Sequence, residues 1–143
     1  DGPAVINPHY QKGMASSLRL GVSMVPPDCA GVVVLLADMP FIQTQSINAM
    51  LDAIEAAPDK IALIPVVDGE WAHPVFMRRI FFPALMGLEG DQGARALLKK
   101  QQDKILFWPS SDRALLFDLD TPDALHAARM QIVRKSASAT TVF

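Results

Sequence analysis

At 143 residues the chain fits one domain and is long enough to bury a substantial core. Half of it is apolar and its mean hydropathy is +0.22, yet no apolar run approaches the roughly 18 residues that a membrane span needs. Thirteen basic against 15 acidic residues leave a net charge of −2 without a basic stripe, which argues against a nucleic-acid partner, and the single cysteine, Cys29, excludes an internal disulfide.

Strand-like and helix-like periods alternate along the chain, as in an α/β domain with a mostly parallel sheet. Ala4-Val5-Ile6 reads as a short strand stopped by Asn7-Pro8. Met14, Leu18, Val22 and Val25 recur at helical spacing over 14–25, and Pro26-Pro27 end that helix. Residues 31–37 are apolar throughout, as expected of a central strand covered on both faces. Thr44 is placed to cap a helix running to about Ala57, with Ile47, Met50, Leu51 and Ile54 as its inner face. A strand follows over 61–67, a turn at Asp68-Gly69 and an extended piece over 73–78. Helical periods are expected around 80–86 and over 92–102, with Asp91 capping the second, and a strand over 105–108. A last strand over 115–118 leads to Thr121-Pro122, which open a helix to about Lys135 before a short polar tail.

Open α/β sheets bind ligands beyond the carboxyl ends of their strands, so the most informative residue is Asp38, directly after the run Val32 to Ala37. Asp is also a common cap of loop amides after strands, so position alone leaves both readings open. Asp118 and Asp120 form a second strand-end carboxylate site, although Asp before a helix N-terminus is favourable in any case. Two such carboxylates on one sheet edge could hold Mg²⁺ against a nucleotide's phosphates. Trp71 and Trp108 read as core or rim residues.

Five motifs in order carry a family resemblance. Residues 7–18, Asn-Pro-His-Tyr-Gln-Lys-Gly-Met-Ala-Ser-Ser-Leu, resemble the NP-x-Y-x-x-G-x-x-x-S segment of molybdenum cofactor cytidylyltransferases. Ala37-Asp38-Met39-Pro40 is similar to their GD-[MQ]-P, and Ala72-His73-Pro74-Val75 to their G-H-P-V, with Ala for Gly in both. Gly90-Asp91-Gln92-Gly93-Ala94-Arg95 resembles GD-x-GAR, and residues 118–125 the D-[IL]-DTP-x-D-L ending, apart from Ala124. The resemblance implies a Rossmann-like nucleotidyltransferase fold and transfer of CMP from CTP to a molybdopterin-type phosphate, with release of pyrophosphate. By match to the motifs, Asp38 and Asp120 would be the catalytic carboxylates and the ligands of Mg²⁺. Gly13 and Ser17 would approach the base, His73 the pterin, and Arg95 a phosphate.

Such families begin with a strand and a Gly-rich phosphate-binding loop, which the 143 residues do not contain. The chain therefore reads as the C-terminal two-thirds of one nucleotidyltransferase domain, not competent by itself, with a gap expected beside the strand at 32–36. Self-association or a complementary N-terminal segment would fill that gap. Two rival readings are a related transferase with another base or acceptor, such as GMP to molybdopterin, and a non-catalytic binding or assembly module. With a lone cysteine and no secretory or lipidation motif in the sequence, the expected compartment is the cytoplasm.

Overall fold

The structure, a computed structural model, describes residues 4–116. Within them lie five strands and four α-helices: α1 (Met14–Ser23), β1 (Gly31–Val34), α2 (Thr44–Glu55), β2 (Ala62–Val67), β3 (Glu70–Trp71), β4 (Val75–Arg78), α3 (Phe82–Met86), α4 (Ala94–Leu98) and β5 (Ile105–Pro109). The α/β class and Rossmann-like layering stand, but the sheet is mixed rather than mostly parallel. β4 lies between β1 and β2 and runs antiparallel to both, while β5 pairs with β2 in parallel. β1, β2 and β5 thus share a direction, and the chain reverses only through β3 and β4.

That reversal has a local cause. Asp68 and Gly69 adopt positive φ, 51° and 84°, so the chain doubles back after β2 in a tight hairpin. The returning strand would be one piece from Glu70 to Arg78 were it not for Pro74, which cannot donate to a ladder. It therefore breaks into β3 and β4, and the His73 N–H leaves the sheet to donate to the Leu115 carbonyl at 3.0 Å.

Side-chain alternation sorts the core into two layers. Ala62, Ile64, Val75 and Met77 face one way, onto Ala15 and Val22 of α1, Phe82 and Leu85 of α3 and Leu98 of α4. Leu63 and Phe76 face the other way, onto Met50 and Ile54 of α2. Burying each of these large apolar side chains is worth about 1.5–3 kcal/mol, so β2, buried along nearly its whole length, anchors the sheet. Gly31 is required where β1 crosses β4, because a Cβ there would lie 2.5 Å from the Met77 carbonyl oxygen and 2.6 Å from the Phe76 ring.

Several expectations need correction. Residues 4–6 form no strand, and Ile6 is 90% exposed; among the described residues no strand lies beside them to pair with. β1 stops at Val34 and is half-buried, since it pairs with β4 on one side only and has no strand on the other among the described residues. The helix expected over 92–102 divides into α4 and a 3₁₀ segment, Lys99–Lys104, broken at Gln101 (φ −132°). Leu115 closes a 3₁₀ turn (Arg113–Leu115) capped by Asp112, and does not start a strand. The rest of that strand and the helix after Thr121 lie outside the described residues.

Two adjacent arginines fasten the connections on either side of β4. Arg78 donates to the carbonyls of Lys60 (2.8 Å), Ile54 (2.6 Å) and Ala57 (3.4 Å), so its cation closes the carbonyl-rich end of α2. Arg79 donates to the Cys29 carbonyl at 2.7 Å and to that of Pro26, and its guanidinium stacks 5.0 Å from the Phe82 ring centroid. Arg78→Met should keep the stem packing but leave those carbonyls unpaired. We expect a loss of about 2 kcal/mol in urea unfolding, seen as a lower midpoint at unchanged m-value.

Candidate active site

The segment before α1 is organised by one side chain. The Asn7 amide nitrogen lies 2.9 Å from both Ser16 Oγ and Ser17 Oγ and donates to them, while Asn7 Oδ1 accepts from the His9 N–H at 2.9 Å. Ser16 is buried and its hydroxyl faces the carbonyls of His9 and Gly13, both at 2.9 Å. Ser17 accepts from Asn7 and still has its own proton to donate. Gly13 sits at φ 94°, and a Cβ there would come within 2.5 Å of the Gly90 carbonyl and of Asp91 Oδ1. Its place is thus set by the turn that presses on it, a turn further tied by the Ala15 N–H to the Gly90 carbonyl. Asp91 does not cap α4: Gly93 is the N-cap and no side chain bonds there.

Between α1 and the open edge of β1 lies a cavity of about 720 Å³. Its walls are mainly apolar, drawn from Leu18 and Val22 on α1 and from Val32 to Leu36, and its polar lining residues are Ser17, Trp71, His73 and Arg95. Ser17, His73 and Arg95, three of the residues singled out in the sequence, therefore meet in one space. Gly13 is not among the lining residues, and Asp38 lies two residues beyond Leu36, past the end of β1. Asp120 lies outside the described residues.

The antiparallel register explains how Asp38 and His73 come together. Val34 stands opposite Val75, so the chain leaving β1 and the chain entering β4 arrive at the same end of the sheet. Asp38 Oδ1 and His73 Nδ1 are both buried there without a hydrogen-bond partner, the only such side-chain atoms among the described residues. Burial pushes the His73 pKa below its ordinary 6.5, the nearby Arg95 charge lowers it further, and the Asp38 carboxylate acts in the opposite sense.

The orphaned Asp38 oxygen, a hard donor, fits a divalent cation such as Mg²⁺ or Mn²⁺ that keeps several waters and binds through one or two carboxylates plus substrate phosphates, and the His73 nitrogen stands near it as a hydrogen-bonding group. Among the described residues no cluster of three or more His, Cys, Asp or Glu stands together as a metal cage.

Sequence reasoning missed Trp71 and Asn7. Trp71 lines the cavity, with the Arg95 guanidinium 5.3 Å from its ring centroid and Phe107 packed against it at 5.4 Å. Asn7 was legible in principle, because an Asn two residues before a free N–H is an Asx-turn signature.

With this geometry in place, residues 1–105 match the MobA-like NTP transferase domain, and the chain belongs to that family. A curated relative, the purine catabolism protein PucB of Bacillus subtilis, is 33% identical over 123 residues, covering 83% of this chain and 57% of PucB. The chain thus spans somewhat more than half the length of that relative. In fold it is similar to Rv0371c of Mycobacterium tuberculosis in complex with manganese (TM-score 0.66, 23% identity, 78% of this chain and 57% of that one). It is also similar in fold to the molybdopterin-guanine dinucleotide biosynthesis protein A of Archaeoglobus fulgidus (TM-score 0.65, 18% identity, 91% and 68%). No helix among the described residues is long and apolar enough to cross a membrane.

The lowered His73 pKa has a consequence for stability. The unfolded chain binds this proton more readily than the folded one, so the contribution of neutral His73 is fully present above about pH 6.5 and is lost as pH falls through the folded value. Urea midpoints measured from about pH 7.5 to about pH 5.5 should fall more steeply for the wild type than for His73→Gln, which has no proton to gain there. Parallel profiles would remove His73 from that account.

Proposed function

We propose that the crevice at the carboxyl end of β1 serves a divalent-metal-dependent nucleotidyl transfer, with CTP as donor and a molybdopterin-type phosphate as acceptor. The observation that carries this reading is the pair of buried, unpartnered atoms, Asp38 Oδ1 and His73 Nδ1, at the strand end where an α/β sheet receives its ligand. In the reaction an oxygen of the acceptor phosphate attacks the α-phosphorus of the triphosphate, the bond to the β-phosphate bridging oxygen breaks, and pyrophosphate leaves. No protein nucleophile is needed. Cys29 is tied into the loop before β1 through its carbonyl and stands apart from the residues that line the cavity.

Asp38, with Asp120 as second carboxylate, would hold Mg²⁺ or Mn²⁺. When bound, such an ion neutralises charge on the phosphates and fixes their orientation. Ser17, oriented by Asn7, offers one hydroxyl proton to the base or ribose. Neutral His73, beside Asp38, accepts or donates one hydrogen bond on the acceptor side without adding charge. The apolar walls exclude water from the reacting phosphates.

Guanylyl transfer is the second reading, favoured by the fold likeness to a protein whose name specifies molybdopterin-guanine dinucleotide. Calorimetric titration with Mn²⁺ and each triphosphate tests both readings. Asp38→Asn keeps the shape and removes the charge, and should weaken metal–nucleotide binding by at least about tenfold, near 1.4 kcal/mol. Tighter binding of CTP than of GTP is expected. The reverse order would favour guanylyl transfer, and equal binding by Asp38→Asn would displace the site from β1.

A further inference from the structure

Five arginines lie among the described residues, and four of them spend their guanidinium groups on the protein itself. Arg19 donates to the Leu88 carbonyl, Arg78 and Arg79 to the carbonyls described above, and Arg113 to Asp68. Arg95 is the exception. Among the described residues its guanidinium finds no hydrogen-bond acceptor and no carboxylate partner, yet it is not loose, because it lies over the Trp71 ring at 5.3 Å. Trp71 in turn is fixed by its register opposite Val66 and by Phe107 against its ring. A cation held over an aromatic face, with no hydrogen-bond acceptor among the described residues, keeps N–H donors available for a ligand. Arg95 and Trp71 both line the polar end of the cavity, beside His73.

We propose that Trp71 is a positioning residue: it holds the Arg95 guanidinium over the polar end of the cavity as the anchor for a phosphate-bearing ligand. A planar fork with free N–H donors matches phosphate oxygens two at a time. The stack lowers the entropic cost of presenting it, since a long side chain otherwise loses rotamer freedom on binding. The proposal deepens the nucleotidyl-transfer reading by naming which residues receive a phosphate away from the metal carboxylate, and it rests on that reading for the identity of the ligand. Its test does not.

The test uses the 143-residue chain in EDTA, so that no divalent metal contributes, with inorganic pyrophosphate as the probe. In a Trp108→Phe background Trp71 is the only indole, and its emission should change saturably as pyrophosphate engages the stacked guanidinium. Calorimetry on the same samples then sorts the variants. Arg95→Met should abolish binding, Trp71→Phe should bind within about twofold of wild type, and Trp71→Ala should weaken binding by about two- to fivefold, the range expected for an exposed cation–π pair. Unchanged affinity in Trp71→Ala, or equal losses in Trp71→Phe and Trp71→Ala with a common drop in thermal midpoint, would overturn the positioning role. So would retention of pyrophosphate binding by Arg95→Met. Should metal–nucleotide binding fail while this metal-free signal persists and depends on Arg95, the transferase reading falls and the phosphate anchor stands.

Discussion

The antiparallel pairing of β4 against β1, with Val34 opposite Val75, is the constraint on which the rest depends. It brings the exit of one strand and the entry of another to a single end of the sheet. A carboxylate that follows β1 and an imidazole that precedes β4 are thereby placed together without either belonging to a regular element. The Pro74 break completes the arrangement, because a continuous strand would have spent the His73 backbone on the ladder and sent its side chain to one sheet face. Arg78 and Arg79, at the other end of β4, tie this strand to α2 and to the loop before β1, so the register is held from both sides.

The site concentrates opposite charges in an otherwise apolar cleft. Asp38 supplies a buried negative oxygen, Arg95 a stacked cation, and His73 feels both. In a cleft of low dielectric such charges act more strongly than on an open surface, and a ligand that carries both a metal and phosphates complements them together. The cost is visible as orphaned polar atoms. An unpaired buried oxygen or nitrogen costs on the order of 1–3 kcal/mol, a sign that the native state is organised for something other than stability alone.

Much of the fold is legible in the residues. Helix α2 shows its inner face at Ile47, Met50, Leu51 and Ile54, and the turn at Asp68-Gly69 is announced by residues that tolerate positive φ. Asp38, Ser17, His73 and Arg95 stand out through motif and position, and the structure brings Ser17, His73 and Arg95 to one cavity with Asp38 at its end. What the sequence conceals is strand order. A run of valines reads as a central, doubly covered strand, yet β1 is only half-buried, because periodicity reports the chemistry of a strand and not the identity of its neighbours. The direction of β4 is hidden for the same reason, and the mixed sheet follows. Trp71 eludes a linear reading because its significance is a contact with Arg95, twenty-four positions away, that no local pattern encodes.

The central claim is that one end of the sheet, where β1 exits and β4 enters, receives a metal-bound nucleotide. Paramagnetic line broadening tests it most directly. Mn²⁺ with a nucleoside triphosphate is titrated into uniformly ¹⁵N-labelled protein, and the loss of each amide signal is followed. Early and selective loss at Asp38, Met39, Ala72 and His73, with the amides of α2 unaffected, is the result the account predicts. Uniform broadening, or early loss centred on another part of the molecule, would contradict it.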